Sequence, residues 1–185
     1  MSTSQTETRV VLLYAHPRSH RSNINRVLFR HAQQVEGVLT RDLYELYPDF
    51  DIDVEAEQQL LRDTRLLVVQ HPVYWYSTPA ILKEWLDTVL TRGFAYGRQG
   101  AVLHDKDFLQ VVSTGGTSRA YSPQGKHRHS LDEFLLPMRQ TARFCGMNYL
   151  DPLVFHGSGG ATPALIEQHA LRYRELLSAY AGNRH

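Results

Sequence analysis

The run Leu66-Leu-Val-Val69, followed by His71-Pro-Val-Tyr-Trp-Tyr-Ser-Thr-Pro-Ala-Ile-Leu-Lys-Glu-Trp-Leu-Asp87, decides how this chain is read. A short, wholly apolar run rich in branched residues reads as a strand buried on both faces. It ends in a loop carrying three consecutive aromatics, Tyr74, Trp75 and Tyr76, and a helix opens at Ser77-Thr78-Pro79. In an open α/β sheet, ligands bind in the crevice beyond the carboxyl ends of the strands. Aromatics at that crest can lie against a flat, conjugated ligand, which points to a flavin.

The same strand-then-helix alternation extends in both directions. Strands are expected at Arg9–Ala15, Val38–Leu43, Arg65–Gln70, Asp107–Ser113 and Asn148–His156, the last with a second possible start beyond Pro152. Helical spacing of apolar residues marks Ser22–Glu36, Val54–Arg62, Thr78–Thr91, Leu131–Phe144 and Thr162–Ala181. Pro79 suits the first turn of its helix, whereas Pro137 is expected to kink or restart the one that contains it. Five strands alternating with helices predict a three-layer α/β sandwich, a parallel sheet in the order 2-1-3-4-5 with helices on both faces.

At 185 residues the chain is expected to be one domain, residues 1–185, with residues 1–8 as a flexible tail. A net charge of +1 and the lack of a basic stripe argue against nucleic acid. The single cysteine, Cys145, rules out an internal disulfide and fits a reducing cytoplasm. No apolar run approaches the roughly 18 residues of a membrane span, and the polar start does not resemble a signal peptide. The expectation is a cytoplasmic protein whose membrane role, if any, is peripheral.

Three loops lie beyond the first, third and fourth strands, where the strand order switches. His16–Asn25 runs into a helix, whose amino terminus binds phosphate well. There Ser22 either caps the helix or donates to a phosphate oxygen, His16 either meets the phosphate or is a surface histidine, and Asn25 can bridge loop to ligand. The loop lacks the glycine patterns of a dinucleotide fold or a nucleotide P-loop. Tyr74, Trp75 and Tyr76 read as core residues singly, but three in succession at a corner cannot all point inward. In Ser113–His129, Gly115 and Gly116 let backbone approach a planar ligand, and Tyr121 and His127 can donate or pass protons. The same composition would also make an ordinary surface loop.

Ten histidines invite a metal, but His127-Arg-His129 has no further ligands at zinc-site spacing, so no metal is expected. Cys145 lacks the following arginine of a phosphate-transferring thiolate and reads as a buried structural thiol. Glu84 and Asp87 read as a solvated helix face.

The segment Pro72–Trp85, the pair Thr114-Gly-Gly116 and Tyr121-Ser-Pro-Gln-Gly-Lys-His127, and Tyr14-Ala-His-Pro17 with Ser22 and Asn25 together resemble the flavodoxin-like NAD(P)H:quinone oxidoreductase family. Within it, similarity to the ancillary subunits of glutathione-gated potassium-efflux systems spans nearly the whole chain, including Leu43–Asp53 and Arg92–Gly97. By position, the resemblance implies that His16, Ser22, Asn23, Ile24 and Asn25 hold a flavin phosphate. Val73, Tyr74, Trp75 and Tyr76 would line the ring, Ser113, Thr114, Gly115 and Gly116 its pyrimidine edge, and Tyr121 and His127 would handle protons. It also implies FMN more than FAD, because the phosphate loop is longer than in the mammalian enzymes and the chain stops without their adenine-holding extension. NADH or NADPH would reduce the flavin and a quinone would then reoxidise it at the same site. A homodimer would complete that site, and a membrane potassium/proton antiporter would be the partner. A non-catalytic regulatory subunit and a flavodoxin-type electron carrier remain the alternatives. The carrier is disfavoured because such carriers are usually acidic.

Overall fold

The computed structural model describes residues 9–98 and 100–182, so the expected tail at residues 1–8 lies outside the described residues. Strands β1 (Val10–Tyr14), β2 (Val38–Asp42), β3 (Leu66–Pro72) and β4 (Asp107–Ser113) form a parallel sheet with β5 (Asn148–Tyr149) and β6 (Leu153–Phe155). The order is β2-β1-β3-β4-β5, as expected, with β6 also paired to β4. The predicted last strand is thus two pieces, interrupted at Leu150-Asp-Pro152. Proline has no N–H to give a ladder and is displaced from continuous strands.

Alternation along the central strands feeds two cores. Val11, Leu13, Leu67, Val69 and Phe108 face α3 (Val54–Arg62), α4 (Ala80–Val89) and α5 (Leu131–Phe144). Val10, Leu12, Leu66, Val68 and Leu109 face α1 (Ile24–Ala32) and α6 (Pro163–Gly182). Burial on both sides explains why β1 and β3 read as unbroken apolar runs. The element α2 (Leu43–Leu46), capped by the Asp42 carboxylate, had no periodic signal because it is one turn long.

Two expectations are corrected. The helix α5 does not restart at Pro137 but continues through it, with a full capping box of Ser130 and Glu133 at its start. Proline there forfeits one intrahelical bond, and the apolar packing of Leu135, Met138 and Ala142 keeps the element together. The helix expected over Ser22–Glu36 is shorter, because residues 33–37 turn towards β2 with Gly37 at φ +81°.

Buried in the α3–α4 layer, Glu57 accepts from Tyr47 Oη at 2.6 Å, from Trp85 Nε1 at 3.0 Å and from Arg41. Burying a carboxylate is tolerated only when its oxygens are fully partnered. This network anchors α4, the helix that follows the aromatic loop.

Candidate functional site

The carboxyl ends of β1, β3 and β4 open into a cleft of about 520 Å³. From the first loop it is lined by His16, Ser22, Asn23, Ile24 and Asn25, from the second by Val73 and Tyr74, and from the third by Ser113 and Gly115. Nine of the expected cofactor residues therefore meet in one place. Arg18, Arg21, Pro72, Ser158 and Gly159 also line it. The last two come from the loop after β6. The strand-end rule applies there too, and the glycine-rich Gly157-Ser-Gly-Gly160 that follows β6 is the signal in the sequence that marks it.

The floor is cross-braced. Asn25 Nδ2 donates to Ser113 Oγ at 2.7 Å, and Gln70 Nε2 donates to the Asn25 carbonyl at 2.7 Å, so one buried residue ties α1 to β3 and β4. Ser22 Oγ accepts from the Asn25 N–H at 3.0 Å. It caps the helix and still has its own hydrogen to donate, so the cap does not use up what a phosphate would need. His16 Nδ1 accepts from the Arg18 N–H at 3.1 Å. Its proton then sits on Nε2, a donor, and burial lowers its pKa and favours this neutral form.

Three features fit an anionic tail joined to a planar ring. The amino terminus of α1 faces the cleft beside Arg18 and Arg21. The buried Asn25 Oδ1 lacks a partner, and a half-turn of that amide would let Ser113 donate to it and free an N–H for an anion. Gly115 lines the cleft, and a Cβ there would meet no atom within 4 Å. Any side chain would stand in the space a ligand needs.

The aromatic loop divides three ways. Tyr74 lines the cleft and meets His16 edge-on at 6.0 Å. Trp75 is 94% exposed, and Tyr76 lines a separate apolar groove of about 390 Å³ between α4 and α5. Tyr74 and Ser77 exchange backbone hydrogen bonds at 3.0 and 2.9 Å around Trp75 (φ 47°) and Tyr76 (φ 64°). That is the φ pair of a type I′ turn, normally given to Asn and Gly. Bulky residues there carry strain. Trp75 and Tyr76 thus do not line the cleft in the isolated chain.

Tyr121 and His127 come together, with ring centroids 4.4 Å apart. Tyr76 Oη lies 3.3 Å from His127 Nδ1, and Phe134 packs 4.9 Å from the Tyr76 ring. Gly116 seats the pair: a Cβ there would stand 3.2 Å from both His127 Nε2 and Tyr121 Cε2. Burial raises the Tyr121 pKa, which the Thr114 hydroxyl partly offsets, so the phenol stays protonated at neutral pH. Thr114 itself is buried, with its hydroxyl turned towards Gly116 and His156 and not into the cleft. Among the other expectations, Cys145 is buried, Asp87 pairs with Lys83 on an exposed face, and His129 pairs with Glu133 at 2.9 Å. No group of three metal-ligating side chains occurs among the described residues.

Known proteins resemble this chain along nearly its whole length. The family described as flavodoxin-like fold matches residues 8–177. Glutathione-regulated potassium-efflux system ancillary protein KefG of Serratia proteamaculans (strain 568) is 47% identical over 169 residues, 91% of this chain and 92% of that protein. General stress protein 14 of Treponema denticola, solved in complex with FMN, is 34% identical, with a TM-score of 0.88 over 93% of this chain and 99% of that one. An NADPH-quinone reductase from P. pentosaceus is 30% identical, with a TM-score of 0.83 over 91% and 97%. A chain described as a thermophilic tryptophan halogenase is 41% identical, with a TM-score of 0.86 over 89% and 96%.

Proposed function

This chain belongs to the flavodoxin-like family, and on that premise we propose that it is an FMN-dependent NAD(P)H:quinone oxidoreductase serving as the ancillary subunit of a potassium-efflux antiporter. The observation that carries the reading is one cleft joining a helix amino terminus, the Nε2–H of His16 and side-chain-free Gly115, with Tyr121 and His127 packed outside its lining against the adjacent Gly116. The potassium-efflux and quinone-reductase names among its relatives support the same assignment.

His16, Ser22, Asn23 and the helix amino terminus would hold the phosphate, with Ile24 and Asn25 behind them. Val73, Tyr74, Ser113 and Gly115 would bound the ring. When bound, FMN supplies two-electron redox chemistry between NAD(P)H and a quinone. Reduction develops negative charge on a quinone oxygen, and the Tyr121 phenol, with His127 against its ring, would donate to it. A second copy of the chain would cover exposed Trp75 and complete the ring-side wall. No helix among the described residues is long and apolar enough to cross a membrane, so contact with an antiporter would be peripheral.

Purified protein should bind FMN and turn over NAD(P)H with a soluble quinone. Tyr121→Phe and His127→Ala should each lower quinone turnover about tenfold or more with flavin retained. Unchanged rates would remove those roles. Flavin binding without any turnover would favour a purely regulatory subunit, and a stably populated blue semiquinone an electron carrier. The halogenase name points elsewhere, and quinone turnover separates that reading too.

A further inference from the structure

His156 plays no part in the sequence reading, yet it stands behind the proton-handling pair. It follows β6 directly, half-buried, with its ring centroid 5.7 Å from that of Tyr121. Its Nδ1 lies 3.0 Å from Thr114 Oγ1, and that oxygen lies 2.7 Å from the Gly116 carbonyl. A carbonyl oxygen only accepts, so while the neighbouring Tyr121 phenol keeps its own proton, the one hydroxyl hydrogen of Thr114 goes to Gly116. The imidazole nitrogen must then be the donor. The same Gly116 carbonyl also accepts from the Gly157 N–H at 2.9 Å, while Thr114 and Phe155 to Ser158 are laced by two further backbone bonds of 2.9 Å. The chain His156 to Thr114 to Gly116 thus ends on the residue whose missing side chain seats Tyr121 and His127.

We infer that His156 is a positioning residue of this site: as the Nδ1–H tautomer it orients the Thr114 hydroxyl, and through it the Gly116 backbone on which Tyr121 and His127 rest. The role deepens the proposed reductase reading and depends on it for its effect on turnover. Without the donor, the Thr114 hydroxyl is free to turn to other acceptors and Gly116 loses one of its two restraints. Loss of one such bond should appear as a fall of about fivefold to tenfold in turnover number.

The test pairs two readouts. Nitrogen-15 NMR of the wild-type histidines should show His156 protonated at Nδ1; an Nε2–H tautomer overturns the inference whatever the flavin does. In FMN-loaded protein, His156→Asn, which returns an N–H near the Nδ1 position, should keep turnover within about twofold of wild type. His156→Phe fills the space without a donor, and Thr114→Val removes the hydroxyl. Each should lose the expected factor, and the double variant no more than either alone. Equal losses in His156→Asn and His156→Phe, or no loss in His156→Phe, overturn it. A wild-type protein that takes up no FMN would sink the reductase reading instead, and the tautomer would still decide this one.

Discussion

The two ends of the cleft are built on opposite principles. At the α1 end, Asn25, Ser22, Ser113 and Gln70 form a buried, cross-braced floor in which the side-chain oxygens of Asn25 and Gln70 lack a protein partner. At the β3 end, the Tyr74–Ser77 turn holds two bulky aromatics at positive φ and leaves Trp75 almost wholly in solvent. The first region is organised before a ligand arrives. The second retains conformational strain and apolar exposure that a ligand or a second chain would relieve.

The largest test concerns the buried end of the strand that leads into the strained turn. His71, fully buried beneath it, has Nδ1 2.9 Å from the Pro72 carbonyl and Nε2 3.3 Å from Gln110 Nε2, while Tyr149 Oη donates to Gln110 Oε1 at 2.7 Å. Only a neutral imidazole with its proton on Nδ1 satisfies both neighbours, and burial pushes its pKa down to about 4. Unfolded, the ring takes its proton near pH 6.5, so between those values the unfolded state binds more protons and stability falls as pH falls. Above that window His71 contributes no pH dependence. Urea unfolding should show a loss of stability between pH 7 and pH 4 that is smaller by roughly 3 kcal/mol in His71→Gln. An identical acid loss in that variant would show that His71 is not the group that takes up the proton.

Next in size is the braced end. Asn25→Leu strands the Ser113 hydroxyl and takes the side-chain tie between α1 and β4 away. FMN affinity should drop by about 30-fold, equivalent to roughly 2 kcal/mol, as measured by fluorescence titration. An unchanged affinity would mean that the floor does not set the phosphate end. The smallest effect is expected at the turn itself. Trp75→Gly should leave the apoprotein as stable or raise it by about 1 kcal/mol, because glycine takes positive φ without penalty. A clear loss of stability would show that Trp75 makes contacts that outweigh the strain.

Much of this contrast was legible in the sequence, and the rest was not for identifiable reasons. The elements α3, β4 and α5 fall on the expected residues because apolar period and flanking caps agree there. His16, Ser22, Asn23, Ile24 and Asn25 meet in one cleft, as a strand-to-helix loop at a switch in strand order should place them. By contrast, a type I′ turn carrying Trp75 and Tyr76 has no Asn-Gly signal, and its shape comes from the strand end and α4 on either side of it. Thr114 was placed at the ring edge by position, yet its rotamer is set by His156, 42 residues away in sequence. Ser158 and Gly159 line the cleft from the loop beyond β6, a short edge strand, and Gly157-Ser-Gly-Gly160 in that loop carries no aromatic or titratable side chain.

The split of the last strand has a consequence for how copies of this protein can meet. The outer margin of the sheet beyond β4 consists of a two-residue and a three-residue piece, with Pro152 just before the second. Such a broken border offers no continuous row of amides and carbonyls for a neighbouring polypeptide to extend. Growth by adding strands, the usual route from a parallel sheet to a fibril, is closed on that side.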